Sequence, residues 1–179
     1  MACMTRYVAL LRGVNVGAHR RIAMADLRSL LTGLGYTGVA THLQSGNAVL
    51  EAGGAGPDAV AAAIRGAVLD GLGHDVPVVV RTARRWRAAV AANPLEVPDP
   101  SRFLVLFSSQ AWDTEALGAV DLSAYPHERL AFTATEVYTG HRDGVRFAAL
   151  PDAVAGCTTG AVTARNWRTV VRLLEMVER

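Results

Sequence analysis

Arg165 and Arg168, with Asn166 between them, are the residues in this chain whose types and spacing point most directly to chemistry. They lie in Thr163-Ala164-Arg165-Asn166-Trp167-Arg168-Thr169, where Trp167, Val170, Val171, Leu174 and Val177 recur at helical spacing and predict a final helix with one buried stripe. Thr163 is the expected N-cap of that helix. Two cations in its first turns oppose the positive end of the helix dipole, at about 0.3–1 kcal/mol each. A local rule broken without local compensation marks a site, here one for an anion that a planar guanidinium can grip in bidentate fashion. The alternative is an acidic side chain elsewhere in the fold that pairs with these arginines.

A second group carries compatible chemistry. Arg12-Gly13-Val14-Asn15-Val16-Gly17 and Gln44-Ser45-Gly46-Asn47 are glycine-bearing turns that each border a strand-like run. Glycines let backbone N–H groups come close to a ligand, while Asn15, Ser45 and Asn47 offer short hydrogen-bonding side chains. Arg12 adds a charge at the end of its strand. The turns contain neither GxxxxGK[ST] nor a complete GxGxxG, so no named nucleotide motif is present, and ordinary turn chemistry is the competing explanation.

Other reactive patterns are thin. The five histidines, His19, His42, His74, His127 and His141, lack metal-ligand spacing, and no CxxC or HExxH occurs, so neither a metal nor a cofactor is expected. Asp75 could orient His74 as a general base, although a helix-to-strand turn explains the pair equally well. No GxSxG elbow or paired carboxylates identify a nucleophile or an acid, so no reaction is assigned. Cys3 and Cys157 do not form a disulfide framework, and Cys157 reads as a structural cysteine. All 18 basic residues are arginine, a bias that a GC-rich genome explains as well as anion recognition does. Arg81, Arg84, Arg85 and Arg87 around Trp86 read as a solvated helix face with the tryptophan inward.

The elements that must position these residues follow from periodicity. Tyr7 to Leu11 form a strand apolar on both faces, and Met24 to Leu34 a helix that stops at Gly35. Val39 to Leu43 and the run through Val49 and Leu50 form two more strands, Pro57 to Gly71 a second helix, and Val76 to Val80 a fourth strand placed at a sheet edge by Pro77. That β-α-β-β-α-β order is the split-βαβ, ferredoxin-like sandwich. It puts the two glycine-bearing turns side by side at one sheet edge. After a helix and a Pro-rich stretch, strands at 102–107, 129–133 and 136–139 and helices at 112–120 and 152–156 repeat the plan, with the last strand missing. The expected fold is therefore α+β, with two ferredoxin-like subdomains at 1–81 and 102–179 joined by a connecting segment at 82–101. A ferredoxin-like sheet also invites an RNA-recognition reading, but that module needs exposed aromatics on its central strands and Tyr7 is the sole candidate.

Composition bounds the rest. Hydrophobic residues make up 51% of the chain and charged residues 19%, which argues against extended disorder, and the net charge is +2. No apolar run approaches the ~20 residues a membrane span needs, and the first residues lack the form of a secretory signal. A cytoplasmic protein is expected.

Arg6-Tyr7-Val8-Ala9-Leu10-Leu11-Arg12-Gly13-Val14-Asn15-Val16-Gly17 resembles the opening of the bacterial domain-of-unknown-function family 1697. Gln44-Ser45-Gly46-Asn47, Val76 to Arg81 and the closing Thr163 to Val170 are similar to further motifs of that family, in the same order. The resemblance implies a bacterial protein with two ferredoxin-like subdomains, and no established activity or catalytic residue. One stretch departs from the pattern: His141-Arg142-Asp143-Gly144-Val145-Arg146-Phe147 stands where relatives carry a Gly-Arg-Ser-Lys-like segment.

The leading expectation is a binding protein for a small phosphate- or carboxylate-bearing ligand, with an enzyme acting on such a ligand left open, and with its site between the subdomains. Arg12, Arg165 and Arg168 would supply charge, and Asn15, Ser45, Asn47 and Asn166 orientation. The alternative is an interaction module whose arginines grip acidic surfaces or whose apolar strand edges join a second copy. Nucleic-acid binding is a distant third, and no membrane partner is expected.

Overall fold

A computed structural model describes residues 4–18 and 20–179; Cys3 and His19, both considered above, lie outside the described residues. The chain forms two compact units. The first comprises residues 1–87 and 173–179, and the second residues 88–172. The expected connecting segment 82–101 is thus divided, with its first residues in one unit and the rest in the other.

The first unit contains β1 (Met4–Leu11), α1 (Met24–Gly33), β2 (Thr37–His42), β3 (Asn47–Gly53), α2 (Pro57–Leu72) and β4 (Val78–Thr82), and then enters α3 (Ala83–Ala91) without a loop. Its antiparallel sheet has the order β2-β3-β1-β4, which leaves β1 central and β4 at the edge that Pro77 predicts. Tyr7, Ala9 and Leu11 of β1 and Ala48, Leu50 and Ala52 of β3 cluster with Leu27 and Leu31 of α1 and with Val60, Ile64 and Val68 of α2. The alternate residues Val8, Leu10 and Val79 are also buried, at 0–1% exposure. A sheet covered on both faces needs apolar residues at every position, which is why β1 reads as a continuous apolar run. Pro57 and Asp58 open α2, and Gly73 closes it in the left-handed conformation at φ 70°.

The second unit repeats the plan. It contains β5 (Phe103–Ser108), α4 (Thr114–Gly118), β6 (Glu128–Phe132), β7 (Glu136–His141), α5 (Leu150–Ala155) and β8 (Val162–Asn166), and then runs directly into α6 (Trp167–Glu178). Its sheet order, β6-β7-β5-β8, is that of the first unit with the strands renumbered. Leu106, Trp112, Leu117, Val137, Leu150 and Val154 form the core on one face of this sheet. Both units are therefore ferredoxin-like, and the whole chain is α+β.

The strand expected to be missing from the second half is β8. It occupies the residues read above as the start of the last helix. Along β8, Thr163 and Arg165 are buried while Ala164 is exposed, so the period-two pattern is carried by polar side chains. Thr163 is consequently a strand residue and not an N-cap. The buried positions of α6 are Thr169, Val170, Leu173 and Val177, with Trp167, Val171 and Leu174 only partly covered. No helix among the described residues is long and apolar enough to cross a membrane.

Candidate functional site

The two glycine-bearing turns of the first unit meet as the topology requires. The Leu11 N–H donates to the Gly46 carbonyl at 2.8 Å, joining the end of β1 to the β2–β3 turn. Asn15, held at φ 56°, donates from Nδ2 to the carbonyls of Ile22 (2.8 Å) and Gln44 (2.6 Å) and accepts from the Ile22 N–H at 2.9 Å. Asn47 is fully buried and donates to the His42 carbonyl and the Ser45 hydroxyl, each at 2.9 Å. The amide groups of Asn15 and Asn47 are thus engaged in tying the turns to each other and to their own backbones. Arg12 is exposed at this edge, and its N–H donates to the Pro77 carbonyl at 2.9 Å.

Arg165, Asn166 and Arg168 are separated by the β8–α6 junction. Arg165 is 7% exposed, and its guanidinium donates to Thr163 Oγ1 at 2.6 Å and to the Ala164 carbonyl at 2.9 Å. Burial lowers its pKa from 12.5 to about 10, so the group stays charged at neutral pH. Asn166 is the actual cap of α6, its Oδ1 accepting from the Arg168 N–H at 3.0 Å. One cation therefore opposes the helix dipole, not two; Arg168 is exposed, and its field helps to hold the Asp99 carboxyl below its usual range. Asp75 does not orient His74: it forms a bidentate pair with Arg65 at 2.6 and 2.8 Å. Tyr7 is buried and donates to the Ala55 carbonyl, so β1 offers no exposed aromatic for stacking bases. Burial raises the Cys157 thiol, in keeping with a structural role.

The arrangement best suited to hold a ligand lies elsewhere, in the second unit. A cleft of about 470 Å³ opens where β5 and β6 begin and β7 ends, lined by Arg102, Phe103, His127, Arg129, His141 and Arg142, with Pro98 and Pro126 among its apolar walls. Strand register brings these residues together, since Glu128 pairs with His141, Arg129 with Gly140, and Phe103 with Gly140. Gly140 makes room for the Arg129 guanidinium; a Cβ there would stand 3.2 Å from its Nε and Nη2. Arg129 Nη2 then reaches the Glu96 carbonyl at 3.0 Å.

The two acids on the cleft are already committed. Asp99 accepts from the Ser101 hydroxyl (2.6 Å) and N–H (2.9 Å), which together hold its carboxyl below the usual range, and it pairs with Arg102 at 3.3 Å. Glu128 takes His141 Nδ1 at 2.7 Å and the N–H groups of Ala149 and Leu150 at the start of α5. His141 is 3% exposed, and its Nε2 bonds Thr139 Oγ1 at 2.8 Å. Burial pushes the His141 pKa below 6.5, while the adjoining Glu128 pulls it the other way and prevails less. Thr139 is fully buried, so the Thr–His–Glu series is a structural tie of β6, β7 and α5 and not an accessible nucleophile.

Arg129 and Arg142 are left without a carboxylate partner among the described residues. His127 Nδ1 bonds Asp143 Oδ2 at 2.7 Å on the cleft rim. The sequence pointed to the end of β8, which register sets beside the start of β5 where the cleft opens, but not to Arg129 or Arg142, which no local motif links to it. The one available signal was the departure from the family pattern at His141-Arg142-Asp143, which falls on the rim of this cleft. Among the described residues, no group of three or more His, Cys, Asp and Glu could hold a metal ion.

Comparison with known proteins adds fold and family. The chain is similar over 98% of its length, and 99% of the other chain, to the structure of the conserved bacterial protein SP0830 from Streptococcus pneumoniae, at 22% identity and a TM-score of 0.75. That likeness shows a shared fold. None of the curated proteins matches the sequence. The profile of the family described as "protein of unknown function (DUF1697)" matches residues 4–138, about three quarters of the chain, and the chain belongs to that family.

Proposed function

We propose that the second unit binds a small molecule bearing a phosphate or a carboxylate in the cleft at the starts of β5 and β6. The observation that carries this reading is the charge inventory of the cleft. Its acids are used internally, while Arg129 and Arg142 face it with no carboxylate to neutralise them. A guanidinium offers a planar fork matched to two oxygens of such an anion, and two forks on adjacent strand ends give a clamp. Arg12, exposed at the sheet edge of the first unit, stays a separate candidate for an anion contact.

Thermal unfolding with inorganic phosphate, simple organic phosphates and carboxylates tests the reading. A ligand at ~100 times its dissociation constant adds ~2.7 kcal/mol, a shift of roughly 5–10 °C for a chain of this size. The shift is expected in the parent and in Arg12→Ala, and should be lost in Arg129→Ala and Arg142→Ala. No shift with any anion would overturn the proposal.

A further inference from the structure

The cleft holds more than an anion requires. Its volume, about 470 Å³, falls within the ~300–1,000 Å³ range of sites that enclose whole organic ligands and far exceeds the needs of a bare phosphate. Pro98, Phe103 and Pro126 give it apolar walls beside the arginines, and a flat apolar body laid on such walls leaves water. The Phe103 ring is 1% exposed and fixed edge-on to Trp167, with centroids 5.4 Å apart at 78°, so the floor is rigid.

The third element is His127. Asp143 Oδ2, 2.7 Å from His127 Nδ1, accepts the proton held there. In the neutral imidazole this leaves Nε2 as a lone-pair acceptor on the rim of the cleft. An acceptor beside two guanidinium donors suits a ligand that presents a hydroxyl close to its anion.

We propose, resting on the anion-binding reading above, that the ligand of this cleft is an organic phosphate with a planar body and a free hydroxyl, the chemistry of a mononucleotide. The phosphate lies on Arg129 and Arg142, the planar body against Pro98 and Pro126 above the buried Phe103, and the hydroxyl donates to His127 Nε2.

Calorimetric titration of the full chain with inorganic phosphate, phenyl phosphate and uridine 5′-monophosphate tests each part. Phenyl phosphate should bind at least ~10-fold more tightly than inorganic phosphate, because it adds the apolar body. The nucleotide should gain a further several-fold from its hydroxyls. His127→Ala should erase only that second gain, and Pro98→Ala should weaken phenyl phosphate and the nucleotide while sparing inorganic phosphate. Both side chains are exposed, so unchanged melting temperatures will show that the variants fold. Equal affinity for all three ligands would overturn this inference and leave the anion-binding reading standing. If none of the three binds, both readings fail. A 5′-phosphorylated trinucleotide that binds more tightly than the mononucleotide would also overturn it, in favour of a nucleic-acid end.

Discussion

At the scale of single residues, His141 and Arg165 are ionisable groups that the second unit buries in opposite ways. His141 sits between Glu128 and Thr139, and burial lowers its pKa from 6.5 despite the adjoining carboxylate. The unfolded chain thus takes up a proton in a range where the folded chain refuses it. The stabilisation is complete above the ordinary imidazole value and is lost as pH falls from ~6.5 toward the folded value. Calorimetric melts from pH 7.5 to 5.5 should show a steeper loss in the parent than in His141→Gln; parallel curves would mean that His141 titrates normally. Arg165 presents the opposite case, a cation that stays charged although buried. Its long stem fills space while its head donates to Thr163 Oγ1 and to the Ala164 carbonyl. Arg165→Ala should therefore lose about 2–3 kcal/mol in urea unfolding, since it removes both the packed stem and the hydrogen bonds of the head.

At the scale of elements, each unit runs its last strand straight into a helix and caps that helix with the strand's final residue. Thr82 Oγ1 accepts from the Arg85 N–H at 3.2 Å, and Asn166 Oδ1 from the Arg168 N–H at 3.0 Å. Asn166→Ala should cost about 1 kcal/mol, and Asn166→Asp should restore it, since an anion at this end also meets the helix dipole; equal stability of the three would remove Asn166 from the capping role. The β2–β3 turn is less forgiving. Gly46 has φ 77°, and a Cβ there would lie 2.6 Å from Val14 Cγ2 and 2.8 Å from Leu11 Cβ. Gly46→Ala combines left-handed strain with a clash against core side chains, so a loss of roughly 2–4 kcal/mol is expected in the same assay.

At the scale of the whole molecule, the chain leaves the first unit within α3 and returns to it within α6. Leu173 and Val177 belong to the first unit and are 0% and 2% exposed there. A chain ended after Arg172 should consequently lose at least about 3 kcal/mol, read as a lowered melting temperature, because two buried apolar side chains are removed. The Arg87–Glu178 ion pair at 2.5 Å lies in the same unit but is exposed on both sides, so Arg87→Ala should change stability by less than about 1 kcal/mol.

The sequence by itself determined the elements whose packing is apolar. β1, α1, α2 and β4 follow from hydrophobic periodicity, with Gly35, Pro57 and Pro77 as punctuation, and their order dictates that the turns at Asn15 and Gln44 meet. β8 was illegible because its buried positions are Thr163 and Arg165, polar residues that bond each other and the strand's own backbone once β8 pairs with β5. The cleft was illegible for a related reason. Arg102, Arg129 and Arg142 stand far apart in the chain, and only the register that sets Glu128 against His141 and Phe103 against Gly140 brings them to one sheet end. Periodicity reports which side of an element meets the core. Which element ends meet each other is decided by strand pairing across the sheet, a tertiary choice that no local pattern encodes.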